Sequence, residues 1–147
     1  MEYLNIELMG NDNKTHKLSD FKGQKVILYF YPKDNTTGCT LEAKDFSYYQ
    51  EAFSALDYKI IGVSKDSVRS HVNFTNKHDL SILLLSDKEQ ALIKAFDVLK
   101  EKQMYGKTYM GVVRSTFILD TDGKVVKSYV NVKAKHHVET LLKSLKA

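Results

Sequence analysis

The chain has 147 residues, 43% hydrophobic and 27% charged, which is enough for one domain with an ordinary core and fits a water-soluble globular protein. Its 22 basic and 18 acidic residues leave a formal charge of +4, but the lysines are scattered, which reads as a solvated surface and not the basic stripe of a nucleic-acid binder. No apolar run approaches the about 20 residues that span a bilayer, and Met1–Leu8 lacks a basic segment followed by an apolar one, so neither a membrane span nor an export signal is expected.

Leu4, Ile6 and Leu8 alternate with polar residues, the pattern of a half-buried strand. The turn signal at Gly10–Lys14 lets Thr15–Leu18 pair back as a short hairpin. Ser19–Gly23 reads as one helical turn stopped by glycine, and Val26–Tyr31 is a continuous apolar run of the kind buried on both faces. Thr36 or Thr37 can cap the following helix, in which Ala43, Phe46, Tyr49, Phe53 and Leu56 recur at helical spacing. A strand over Lys59–Ser64 completes a right-handed βαβ unit. Ser67–His78 is expected to be a helix, Ile82–Leu85 a buried strand and Glu89–Phe96 a short helix. The pattern then fades, and Lys100–Gly111 reads as a loop. Ser115–Leu119 and Val125–Val130 are strands joined by the turn Asp120–Gly123, hence antiparallel, and Ala134–Leu145 is a closing helix. These elements predict an α/β fold in a single domain over residues 1–147. A mixed central β-sheet is flanked by helices, with an N-terminal β-hairpin, which is the thioredoxin-like arrangement.

The chemistry concentrates in Tyr29-Phe-Tyr-Pro-Lys-Asp-Asn-Thr-Thr-Gly-Cys-Thr-Leu-Glu42, which holds the only cysteine, Cys39, and the only proline, Pro32. One cysteine excludes an internal disulfide and fits a reducing compartment, here read as the cytoplasm. The absence of Cys-x-x-Cys argues against a thioredoxin-type exchanger. A thiol at a strand-to-helix junction lies where backbone N–H groups point outward and the helix dipole is positive, and both favour the thiolate. The competing reading of a lone cysteine is core packing. Only two arginines occur, Arg69 and Arg114, and Arg114 falls in the apolar stretch Gly111–Ile118, where a planar fork does what lysine cannot. His71, His78 and the pair His136-His137 show no metal-ligand spacing with a lone cysteine and read as surface histidines.

The spacing Pro32-x-x-x-Thr36-x-x-Cys39 resembles the active-site motif of the peroxiredoxins. The longer run Tyr29–Thr36 with Gly38-Cys-Thr-x-Glu-Ala43, the segment Gly106-Lys-x-x-x-Gly111-x-x-Arg114-x-Thr-Phe-Ile118, the turn Asp120-x-Asp-Gly-Lys124 and the segment Leu18–Gly23 are similar to the bacterioferritin comigratory protein, or Q-type, branch. The resemblance covers roughly residues 15–145. It implies a thiol peroxidase that reduces hydrogen peroxide and organic hydroperoxides with no metal or prosthetic group. Cys39 would be the nucleophile. Thr36 would orient the peroxide through its hydroxyl, and Arg114 would stabilise the thiolate and hydrogen-bond the substrate. Pro32 would shield the thiol and Tyr31 would sit beside Pro32 in the pocket wall; Gly38 and Glu42 would be supporting residues, Glu42 bonding within the first helical turn or pairing with a cation. The bland alternatives are a helix cap for Thr36, a surface arginine on an edge strand for Arg114 and a strand terminator for Pro32.

Three positions depart from the branch. Thr37 stands where proline is usual, the family's opening segment is not recognisable before Leu18, and Lys44 occupies the position of the resolving cysteine that many members carry five residues after the reactive one. A sulfenic acid formed on Cys39 must then condense with an external thiol: thioredoxin, glutaredoxin or a low-molecular-weight thiol. The chain is read as a monomer, with a weak dimer as the alternative. A second functional class remains open, a peroxide-responsive redox sensor or partner-binding protein without efficient turnover.

Overall fold

The computed structural model describes residues 1–147. Strands β1 (Leu8–Gly10) and β2 (Thr15–His16) form the N-terminal hairpin. Then follow β3 (Lys25–Phe30), α1 (Thr37–Tyr48), α2 (Gln50–Ala55), β4 (Tyr58–Ser64), α3 (Val68–His78), β5 (Leu83–Ser86) and α4 (Ala91–Ala95). The chain ends with β6 (Leu99–Met104), β7 (Lys107–Val112), β8 (Ser115–Leu119), β9 (Val125–Val130) and α5 (His137–Lys146).

Seven strands make one mixed sheet in the order β2-β1-β5-β4-β3-β8-β9. The parallel centre β3, β4 and β5 is built by helical crossovers, and β1 and β8 join it antiparallel. The apolar run in β3 divides by pleat. Val26, Leu28 and Phe30 enter one core with Leu4, Ile61, Leu85 and Val98. Ile27, Tyr29 and Tyr31 enter the other, with Phe46, Phe53, Phe74 and Val138. Cys39 belongs to this second core. The strand is thus buried on both faces, as its composition implies, and its carboxyl end delivers the chain to the Pro32–Thr36 loop. In open α/β sheets that is the end at which sites form.

Three sequence expectations change. Residues 2–5 are a 3-10 turn (Glu2–Asn5), so the first strand holds only Leu8–Gly10. The turn is anchored elsewhere: the Tyr3 hydroxyl donates to the Gly123 carbonyl at 2.6 Å, and Leu4 packs over Gly123, where a Cβ would come within 2.6 Å of Leu4 Cδ2. The expected helix through Leu56 breaks at Tyr49 (φ −94, ψ 8) into α1 and α2. The expected loop over Lys100–Gly111 is instead the hairpin β6–β7, whose two-residue turn Tyr105-Gly106 has φ of 53 and 76. Both turn residues are left-handed, which matches the twist of flanking strands. The signal is faint because most of both strands faces solvent, so no apolar alternation marks them.

Candidate active site

Helix α1 opens with Thr36 at its N-cap position and places Cys39 in the first turn, where backbone N–H groups lack intrahelical partners. Cys39 is 2% exposed. Arg114 reaches it from the two-residue link between β7 and β8, not from within a strand. That link is held from both sides, since Val113 N–H donates to the Val98 carbonyl and Val132 N–H to the Arg114 carbonyl. The guanidinium donates from Nη2 to Cys39 Sγ at 3.3 Å and from Nη1 to Glu42 Oε1 at 2.6 Å. Its two arms thereby bridge the first and second turns of α1.

Glu42 is fully buried, and its second oxygen Oε2 has no hydrogen-bond partner. Burial pushes its carboxyl up to about 7, and the Arg114 guanidinium, which pulls the other way, does not cancel it. For Arg114, burial works against the charge, but Glu42 and Cys39 together outweigh it and the pKa rises. The two partners therefore differ in sign of benefit: the arginine gains from the pair while the carboxyl is held there against its own desolvation. The bare Oε2 agrees with that upward direction, while the short bond from Arg114 to Oε1 favours the charged form.

Gly38 is the residue that lets this contact form. A Cβ there would lie 3.0 Å from Arg114 Nη2 and 3.6 Å from Ala134 Cβ, so a side chain would push on the guanidinium. Thr36 is exposed, and its hydroxyl donates to the Lys33 carbonyl at 2.8 Å without capping a helix N–H. Its oxygen keeps lone pairs for an incoming donor. Thr37 is the first helical residue, a position that accepts proline as well as threonine, which accounts for the exchange at this site. Lys44 is exposed on α1.

Pro32 and Thr36 line a cavity of about 290 Å³ whose opposite wall is Lys102, Met104, Tyr109 and Val112 from the β6–β7 hairpin. Tyr31 is not in that wall. It is buried beneath the loop, its ring 5.5 Å from that of Tyr29, and its hydroxyl donates to Asp34 Oδ1 at 2.6 Å. Of the residues singled out in the sequence, Cys39, Arg114, Glu42 and Gly38 therefore converge on one point. Pro32 and Thr36 stand at the adjacent cavity, and Tyr31 lies behind. Lys102 was hidden in the supposed loop. It crosses Gly111 to donate from Nζ to the Val112 carbonyl at 2.6 Å, and burial, then Arg114, lowers its pKa. His71 is not a surface histidine but is fully buried. Asp34 was inside the quoted stretch but carried no recognised signal.

A thiol in a helical first turn, a guanidinium on its sulfur and a hydroxyl at the adjoining cavity define a protein built for thiol redox chemistry. The AhpC/TSA family profile matches residues 2–128, and the chain belongs to that family. Peroxiredoxin Bcp of Bacillus subtilis is 52% identical over 141 residues, covering 96% of this chain and 90% of the relative. Peroxiredoxin Bcp of Xanthomonas campestris is 45% identical over 144 residues, covering 98% and 89%. A solved structure of the Xanthomonas campestris bacterioferritin comigratory protein superposes with a TM-score of 0.93 at 42% identity, covering 98% of this chain and 92% of that one. A Xylella fastidiosa PrxQ mutant gives 0.94 at 40%, covering 99% and 90%. Within the family the chain is a peroxiredoxin of the Bcp/PrxQ branch, with the thioredoxin-like fold, and a thiol-dependent peroxidase.

Two outcomes follow from this geometry. Gly38→Ala moves the Arg114 fork by a few tenths of an ångström; the rate of Cys39 oxidation by peroxide should fall about tenfold, with the urea midpoint nearly unchanged. Glu42 has the second signature. Its folded pKa of about 7 lies above the ordinary glutamate value of 4.5, so the folded state holds that proton more tightly than the unfolded chain. Its contribution to stability is complete below about pH 4.5 and is lost as pH rises through about 7, a change on the order of 3 kcal/mol. Urea titrations from pH 4 to 8 should show this decline in the wild type and not in Glu42→Gln.

Proposed function

We propose that this chain reduces hydrogen peroxide and organic hydroperoxides to water and alcohols through Cys39, and that an external thiol completes the cycle. The observation that carries this reading is the Arg114 guanidinium on Cys39 Sγ at the opening of α1. In the first step the Cys39 thiolate attacks one peroxide oxygen. The S–O bond forms, the O–O bond breaks, and the departing oxygen leaves as water or alcohol once it takes a proton. Arg114 and the helix N-terminus favour the negative sulfur and meet the charge that shifts onto oxygen. Thr36 accepts from the peroxide and orients it, Pro32 closes the solvent side, and Gly38 and Glu42 set the position of the guanidinium. Supporting the organic substrates, the Xanthomonas campestris relative is described for alkyl peroxide reduction, and the cavity beside Thr36 carries Met104, Tyr109 and Val112.

The second step follows from the cysteine count. Cys39 is the only cysteine, so its sulfenic acid condenses with a thiol from thioredoxin, glutaredoxin or a small molecule, releasing water. A second thiol then releases Cys39 and leaves the reductant as a disulfide. Such a cycle belongs in a reducing compartment, consistent with a cytoplasmic protein; no helix is long and apolar enough to cross a membrane.

Intact mass tests the second step. Protein oxidised with one equivalent of peroxide and then given glutathione should gain one mixed disulfide per chain and return to the reduced mass with excess thiol. A disulfide between two copies of the chain would overturn the external-thiol cycle. Mixed-disulfide formation without turnover by any reductant would favour the redox-sensor reading.

A further inference from the structure

The loop that carries Thr36 has almost nothing of its own to hold it. Lys33, Asn35, Thr36 and Thr37 are exposed, Asn35 sits at φ 61, and the Thr36 hydroxyl bonds inside the loop, to Lys33. Asp34 is the exception at 5% exposure. Its side chain is surrounded by donors from other elements. Tyr31 Oη donates to Oδ1 at 2.6 Å, and Ser70 Oγ donates to Oδ2 at 2.8 Å. His71 Nδ1 lies 2.7 Å from Oδ2. The Asp34 backbone N–H also donates, to Asp66 Oδ2 at 2.9 Å. The only other side-chain tie of this loop to α3 is exposed, between Asn35 Oδ1 and His78 Nε2 at 3.2 Å.

His71 is central to this arrangement. Its Nε2 lies 2.9 Å from the Leu85 carbonyl oxygen, which can only accept. Its Nδ1 faces a carboxylate that already takes two hydroxyl donors. Both ring nitrogens therefore face oxygen acceptors on other elements, which fixes the orientation of the ring. The side chains of the pair are 0% and 1% exposed. Such a pair is desolvated at a cost and is a poor device for stability alone, but it fixes one geometry where apolar packing would allow several. Asp34, Asp66 and His71 also bring ligand-type atoms within 4.8 Å of one another, yet Tyr31, Ser64, Ser70 and His71 itself supply hydrogens to these carboxylates.

We propose that His71 is a positioning residue for peroxide reduction: from α3, braced on β5, it grips Asp34 and thereby sets the Pro32–Thr36 loop that presents Thr36 to the substrate. This deepens the peroxidase reading and rests on it. Arg114 reaches Cys39 from the opposite side, through the β7–β8 link, and has no bond to this network. The pair therefore governs how peroxide is oriented and not whether sulfur is reactive.

The test is single-turnover oxidation of Cys39 by hydrogen peroxide in His71→Phe, Asp34→Asn, Thr36→Val and the Thr36→Val/His71→Phe double variant, beside alkylation of Cys39 by iodoacetamide, which needs no Thr36. The expected result is an at least tenfold slower oxidation in His71→Phe and Asp34→Asn, with alkylation within about twofold of wild type. The double variant should be no slower than the slower single variant, because the two residues act as one unit. Ser70→Ala removes one donor from Asp34 and leaves His71 in place; a smaller, two- to fivefold loss is expected there, which keeps the test open should His71→Phe fail to fold. Oxidation and alkylation falling together, losses that multiply in the double variant, or unchanged oxidation in Asp34→Asn and Ser70→Ala would each overturn the proposal. A wild-type Cys39 no faster than a free thiol would instead defeat the peroxidase reading beneath it.

Discussion

A single guanidinium shared between a thiol and a carboxyl organises this molecule. Arg114 has one positive charge and two terminal nitrogens in one plane, Nη2 aimed at Cys39 and Nη1 at Glu42. The geometry is a fork, which a lysine could not supply. Gly38 makes room for it, and Glu42 is sealed from water. A carboxyl in that position is pulled between desolvation, which favours its neutral form, and the arginine, which favours the charged one. Burial wins to the extent of a pKa of about 7.

The sheet brings distant pieces of chain to that fork and to the loop and cavity beside it. Strand β3 ends at the loop and helix that carry Thr36 and Cys39. The link after β7 delivers Arg114, held at both ends by backbone bonds to Val98 and Val132. Helix α3 closes the back of the loop through Ser70 and His71. The β6–β7 hairpin supplies the facing wall of the cavity. It is made largely of exposed residues and is tied across its own strands by Lys102 Nζ donating to the Val112 carbonyl. The buried parts thus hold the sulfur and its arginine, while the exposed hairpin walls the adjoining cavity.

How much of this could be read from the chain depends on whether the constraint was local. The strand–loop–helix unit was legible because apolar run, proline, threonine and cysteine lie within a few residues, and the β8–β9 hairpin because Asp120–Gly123 declares its turn. Arg114 was legible as an oddity, an arginine in an apolar stretch, although its place between strands was not. The hairpin over Leu99–Val112 was missed because its turn uses tyrosine at positive φ and its strands are polar on most positions. His71 was misjudged for a related reason. On a helix of polar composition a histidine looks solvated, and only the tertiary meeting of α3 with the Asp34 loop removes it from water. Tyr31 was placed in the pocket wall because it adjoins Pro32, whereas strand pleat turns its ring to the core and its hydroxyl to Asp34.

What Arg114 does for Cys39 can be measured directly. Reduced protein mixed with one equivalent of hydrogen peroxide, in the presence of a sulfenic-acid trap and sampled by intact mass over milliseconds to minutes, gives the direct measurement. The predicted result is rapid appearance of one trapped sulfenic acid on Cys39 in the wild type, slowed about a hundredfold in Arg114→Ala. Oxidation of wild-type Cys39 no faster than that of a free thiol, or equal rates in the two proteins, would contradict it.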